Sequence, residues 1–79
     1  MTHNRELTLR NAPIGRTVRI QQLQAGPEVS LRLRELGFCE NVVVRCVMRS
    51  HGKIICEIYN SRIGLDGQLA GDIVVTPTE

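Results

Sequence analysis

The sequence predicts a small, mostly β barrel interrupted by one short helix. Two observations carry this prediction. Residues 26–48 read as a helix that stops at a glycine and is followed within a few residues by a strand. Almost every other segment reads as a short strand or a turn, and many short strands in one small chain favour a closed or nearly closed barrel. The chain has 79 residues, enough for one domain. A domain near this size buries only about 60% of the surface its unfolded chain exposes. A deep catalytic cleft is hard to build around so small a core.

Residues 1–6 are polar and are expected to fray, residues 7–76 to form the domain, and residues 77–79 to be a tail. Leu7 and Leu9 alternate with polar neighbours and lead into an anchoring turn closed by Pro13 and Gly15. Residues 17–23 alternate polar with apolar, which predicts a strand with Val18 and Ile20 inward. A helix is predicted over about residues 27–37. Pro27 suits its first position, and Glu28 complements the dipole there. Val29, Leu33 and Leu36 fall at i, i+4, i+7 as its buried stripe, with Arg32, Arg34 and Glu35 facing away. Gly37 stands where a left-handed cap is needed, and Phe38 where a capping hydrophobic contact is expected.

Residues 42–49 and 54–60 are predicted strands. A three-residue loop of residues 50–52, with Gly52 left-handed, would pair Arg49 with Lys53, Met48 with Ile54 and Cys46 with Cys56. Val44, Cys46, Met48, Ile54, Cys56 and Ile58 would then face the core. Val43, Arg45, Val47, Ile55, Glu57 and Tyr59 would make a half-apolar outer face, open to a partner or covered by the amino-terminal segment. Asn60-Ser61 reads as a tight turn, since asparagine tolerates the left-handed region. A short strand with Ile63 and Leu65 inward follows, then a helical turn near residues 66–70, then a closing strand that ends at Pro77.

The formal net charge of +2 is far from the strongly basic balance of a nucleic-acid binder. Phe38 and Tyr59 are the only residues among Phe, Trp and Tyr, so stacking platforms for bases are scarce. Nearly all the basic residues are arginine, which favours fixed contacts with carboxylates as readily as with phosphates. Three cysteines with no short paired spacing predict reduced thiols rather than a disulfide framework or a zinc finger. The first residues have no apolar core of a signal peptide, and no apolar run approaches a membrane span. The expected location is the cytoplasm.

The segments taken together resemble the FeoA domain of bacterial ferrous iron transport. The likeness runs through Leu9, Gly15, Val18 and Ile20 to Arg32-Leu33-Arg34-Glu35-Leu36-Gly37. It continues through Val44, Cys46, Gly52, Ile54, Cys56, Ile58, Ile63-Gly64-Leu65, Ala70, Ile73 and Val75. The chain departs from the family pattern in three places. Glu40-Asn41 stands where Pro-Gly is usual, Asn60 where glycine is frequent, and Gly64 where alanine is common. Asn41 can make the same left-handed turn. The resemblance implies an SH3-like barrel and a non-enzymatic protein that docks on the FeoB transporter and GTPase from the cytosolic side. The carboxy-terminal domain of repressors of the diphtheria-toxin-repressor type has the same fold, but no helix-turn-helix segment is present here.

Candidate partner-binding residues are Arg32, Arg34 and Glu35 on the helix, and Val43, Val47, Ile55 and Tyr59 on the outer strand face. Each is weighed against an ordinary solvated face. Gly37, Asn41, Gly52 and Asn60 are read as backbone-shaping residues. Cys46 and Cys56 are read as small apolar core residues in preference to a metal or redox site. Cys39 is read as inert. His51 is a loop-tip histidine with a solvated role. No catalytic constellation, metal site or cofactor is predicted, and the phosphate-cradling G-x-x-x-x-G-K-[ST] pattern is absent. Two other functions compete: a small-barrel nucleic-acid-binding module and an Fe²⁺-binding regulator. The first needs exposed aromatics and a basic groove, the second convergent ligands. A homodimer through sheet edges is a further expectation.

Overall fold

The structure is a computed structural model that describes residues 6–78. Of the residues 1–6 expected to fray, residues 1–5 lie outside the described residues, as does residue 79. Five strands and two helices follow in the order β1 (Thr17–Leu23), α1 (Pro27–Glu35), β2 (Val43–Ser50), β3 (Lys53–Ile58), β4 (Ser61–Asp66), α2 (Gly67–Ala70) and β5 (Ile73–Pro77). The strands form one antiparallel sheet in the order β4-β3-β2-β1-β5. All five contribute to one core: Val18 and Ile20, Val44 and Cys46, Ile54, Cys56 and Ile58, Leu65, and Ile73 and Val75. A curled sheet around a single apolar centre is the barrel that the alternating strands call for.

The amino-terminal segment completes the barrel. Leu7 and Leu9 lie along the outer edge of β5. The Val75 amide donates to the Leu7 carbonyl at 2.9 Å, and the Leu9 amide to the Ile73 carbonyl at 3.1 Å. Asn11 folds the chain back by accepting the Thr8 amide on Oδ1 at 2.8 Å. The Gly15 amide then donates to the Cys46 carbonyl at 2.7 Å, so the same segment extends the edge of β2 before β1 begins. Leu9 and Ala12 are buried in the core. This segment therefore fills the seam instead of covering the outer strand face.

Helix α1 ends as its sequence dictates. Leu36 is the C-cap, and Gly37 follows at a φ of 108°, a region that costs a residue with a Cβ but not glycine. The Phe38 amide reaches back to the Leu33 carbonyl at 2.9 Å and the Gly37 amide to that of Arg34 at 3.0 Å. These are the two bonds of a Schellman cap. The reversal drops Phe38 into the core beside Leu33, both without exposed surface. Leu36 departs from its expected place in the buried stripe and is 43% exposed. Its backbone already belongs to the cap, and Phe38 occupies the apolar site instead. Ser30 takes up part of the buried face; its Oγ donates to the Ala25 carbonyl at 3.1 Å, so the buried hydroxyl is satisfied.

The β2–β3 hairpin departs from its expected register near the tip. The loop has two residues, His51 and Gly52, with φ of 52° and 77°, flanked by the pair Ser50 and Lys53. Arg49 pairs with Ile54 and Met48 with Ile55. A bulge at Val47 then shifts the register, so Cys46 still faces Cys56. Met48 is consequently turned outward and 54% exposed. Arg49 takes the inward-facing position at the mouth of the barrel, where its guanidinium donates to the carbonyls of Arg10 (2.9 Å) and Ala12. The next turn is also one residue earlier than expected. Tyr59 and Asn60, with φ of 51° and 71°, link Ile58 to its partner Ser61. Strand β5 takes in Pro77, which pairs with Val18; a proline is tolerated at a strand end where its nitrogen need not donate.

Candidate partner-binding face

The outer surface of the sheet is organised in cross-strand rows. Arg45 stands opposite Thr17 on one side and Glu57 on the other, and Glu57 stands opposite Arg62. The row is an ion-pair chain. Arg45 Nη2 lies 2.5 Å from Glu57 Oε1, and Arg62 Nε lies 3.8 Å from Glu57 Oε2. Beside it, Met48, Ile55 and Gly64 form an apolar row. The Ile55 side chain lies over Gly64, where a Cβ would stand 3.5 Å from Ile55 Cδ1. An alanine at 64 would meet Ile55 at an ordinary contact distance.

The sequence-predicted residues fall into three places on this framework. Val43 is 40% exposed on β2, while Val47, in the bulge, and Ile55 are half-buried. Tyr59 leaves the strand face and stands in the β3–β4 turn, 79% exposed. Arg32, Arg34 and Glu35 are exposed on α1. Arg34 is engaged by Glu40 through two hydrogen bonds, Nε to Oε1 at 3.3 Å and Nη2 to Oε2 at 2.8 Å. The Arg34 hydrogen bond holds the Glu40 carboxyl below the usual carboxylate range. Arg34 is thereby a neutralised charge, and Arg32 is the free cation of the helix among the described residues. Met48 is an exposed apolar side chain that the sequence reading missed. Only the bulge turns it outward, and nothing in the local pattern marks that bulge.

Gly37, Asn41, Gly52 and Asn60 all have positive φ, with Asn41 at 74°. Asn41 also anchors the start of β2: its carbonyl accepts from Arg19 Nη1 at 3.1 Å and its amide donates to the Ile20 carbonyl at 2.7 Å. Cys46 and Cys56 lie side by side in the core, with sulfurs 3.9 Å apart and both thiols free. A disulfide needs about 2.05 Å. The neighbouring Cys46 sulfur and burial together push the Cys56 thiol far above its ordinary value, so it stays protonated. Cys39 is half-buried, with its sulfur 3.6 Å from the Arg34 carbonyl. Among the described residues no three His, Cys, Asp or Glu side chains converge as metal ligands. No helix among them is long and apolar enough to cross a membrane.

Glu57 gives the face a measurable signature. The hydrogen bond from Arg45 and the charges of Arg45 and Arg62 hold its carboxyl below the usual range. Its folded-state value lies below the unfolded one, so its contribution is present above the unfolded carboxylate value and lost as the pH falls through the folded one. Glu57→Gln is expected to lower the urea midpoint at neutral pH and to leave it unchanged in acid below the carboxylate range. Equal midpoint losses at both pH values would show that the ion-pair chain carries none of the effect.

The architecture is that of a small SH3-like barrel that presents side chains on an outer sheet face. A family model for the FeoA domain matches residues 7–77. The chain belongs to the FeoA domain family. Solved structures agree. Iron(II) transport protein A from Clostridium thermocellum superposes with a TM-score of 0.84 at 25% identity, over 91% of this chain and 46% of that one. The present chain thus spans less than half of that protein. FeoA from Stenotrophomonas maltophilia, solved in complex with zinc and described as a prokaryotic SH3-domain protein, superposes with a TM-score of 0.71 at 28% identity, over 87% and 88% of the two chains. A manganese-dependent transcriptional repressor shares the fold over 90% of this chain and 41% of its own, with a TM-score of 0.81 at 20% identity. No curated protein sequence matches the chain closely enough to count as a relative.

Proposed function

We propose that this chain is a non-enzymatic accessory module of ferrous iron uptake that docks from the cytosolic side on an FeoB-type transporter and its GTPase. Membership of the FeoA family over residues 7–77 carries the reading. The surface supports it: Val43 and Met48 are exposed on either side of an arginine–carboxylate row, and Tyr59 is exposed in the adjoining turn. The S. maltophilia protein is named as a possible activating factor of ferrous iron transport, which fits a modulating role. The zinc in that structure raises a second reading, an Fe²⁺-binding regulator. The donor set described here does not converge on a point, and docking is therefore preferred. The expected homodimer would use the outer edge of β4, which pairs with a strand on one side only among the described residues.

A pull-down of the tagged protein against the cytosolic portion of an FeoB transporter, with and without guanine nucleotide, tests the proposal. Specific capture is expected, with Tyr59→Ala and Met48→Asp each weakening it about tenfold or more if these side chains anchor the contact. Absence of capture in every nucleotide state, with the protein shown folded, would overturn the docking role.

A further inference from the structure

A cleft of about 690 Å³ opens between the β2–β3 hairpin tip, the amino-terminal turn and the start of α2. Its lining contains Arg10, Arg49 and Lys53, and no carboxylate. None of these three cations is in an ion pair among the described residues. The nearest acid in register, Asp66 opposite Lys53, uses its Oδ1 to accept the Gln68 amide at 2.8 Å. Ile54 is the lone apolar residue in the lining, and the His51 imidazole is its one ring, with no Phe, Tyr or Trp beside it.

The walls are fixed to one another. Arg49 is held by the carbonyls of Arg10 and Ala12, neutral partners that orient the guanidinium without cancelling its charge. The hairpin tip is tied to α2 by the Gly67 amide, which donates to the Gly52 carbonyl at 2.8 Å. A Cβ at position 67 would sit 3.0 Å from that carbonyl oxygen, so a larger residue would have to push the hairpin tip away by a few tenths of an ångström. The stem of Arg10 rests near Gly71, where a Cβ would stand 3.5 Å from its Cδ. Three cations on a braced frame, with Asp66 opposite Lys53 as the one acid in register, leave an excess of positive charge that a bound anion relieves.

We propose that the Arg10–Arg49–Lys53 cleft is a binding site for a compact, multiply charged oxyanion of the diphosphate or tricarboxylate class. Guanidinium groups, of which that of Arg49 is held in place here, suit the paired oxygens of phosphate and carboxylate. One imidazole, that of His51, makes no platform for successive bases, which disfavours single-stranded nucleic acid. The scarcity of apolar anchors disfavours a docked peptide. The site is separate from the outer strand face and does not depend on the transporter reading.

The test is an NMR titration of the isotope-labelled full chain with sodium pyrophosphate and with citrate, against sodium chloride at matched ionic strength. Saturable shifts are expected at the amides of residues 49–54 and 67–68. Arg10→Gln and Lys53→Gln, which leave the Arg49 carbonyl bonds intact, should each weaken binding about tenfold, the cost of one charge-assisted hydrogen bond. Arg45→Gln on the outer face should leave it unchanged. A preference for pyrophosphate or for citrate identifies the source of the oxyanion. Shifts reproduced by sodium chloride, affinities unmoved by Arg10→Gln and Lys53→Gln, or saturation by a polyglutamate peptide and by neither small anion would each overturn the proposal.

Discussion

Phe38→Ala is expected to remove about 3–5 kcal/mol of stability, the usual range for deleting a buried aromatic ring. A domain of this size has on the order of 5–10 kcal/mol in total. The variant should therefore be folded only marginally at physiological temperature. Phe38 is the largest fully buried side chain, and its position depends on the glycine cap that ends α1. Its loss leaves a cavity beside Leu33 and detaches the helix end, which would not persist as an isolated nine-residue helix. Urea unfolding monitored by circular dichroism reads the effect as a fall in midpoint with little change in slope. A loss below about 1 kcal/mol would mean that the core closes over the gap, and that α1 is held by other contacts.

Leu9→Ala is expected to cost about 2–4 kcal/mol, again from a fully buried side chain. Its distinguishing effect is local. Leu9 anchors the segment that bonds to Ile73 and Val75 along the β5 edge. With that anchor gone, the Val75 amide, which donates to the Leu7 carbonyl, should exchange with solvent faster than the β3 amides. Hydrogen exchange followed residue by residue separates the two cases. Selective loss at Val75 supports a seam closed by this segment. A uniform change across the sheet would make Leu9 an ordinary core residue.

The barrel was legible because its strands alternate and its helix carries its own stop signal. Val18, Ile20, Val44, Cys46, Cys56 and Leu65 are buried as their alternation requires. The hairpin shows where local pattern fails. A three-residue loop with regular strands and a two-residue loop with a bulge at Val47 both bring Cys46 opposite Cys56. They differ only in whether the extra residue sits in the turn or in the strand. Histidine enters the left-handed region more readily than most residues, and His51 does so here, which tips the balance to the shorter loop. That single shift exposes Met48 and sends Arg49 to the barrel mouth. The basic cleft was invisible for another reason. Arg10 and Arg49 meet only because the amino-terminal turn crosses the barrel, a contact across 39 positions of sequence that no local pattern encodes.

The seam between residues 7–9 and β5 also bears on synthesis. A ribosome makes Leu9 well before Ile73 to Val75, yet each needs the other to complete its hydrogen bonds. Strand β1 waits as well, since β5 is its neighbour on one side. A nascent chain halted after β4 would expose Leu7, Leu9, Val18 and Ile20 with no final strand to cover them. Closure is then a late step triggered by emergence of β5, and the interval before it is when a holdase chaperone has the most apolar surface to grip.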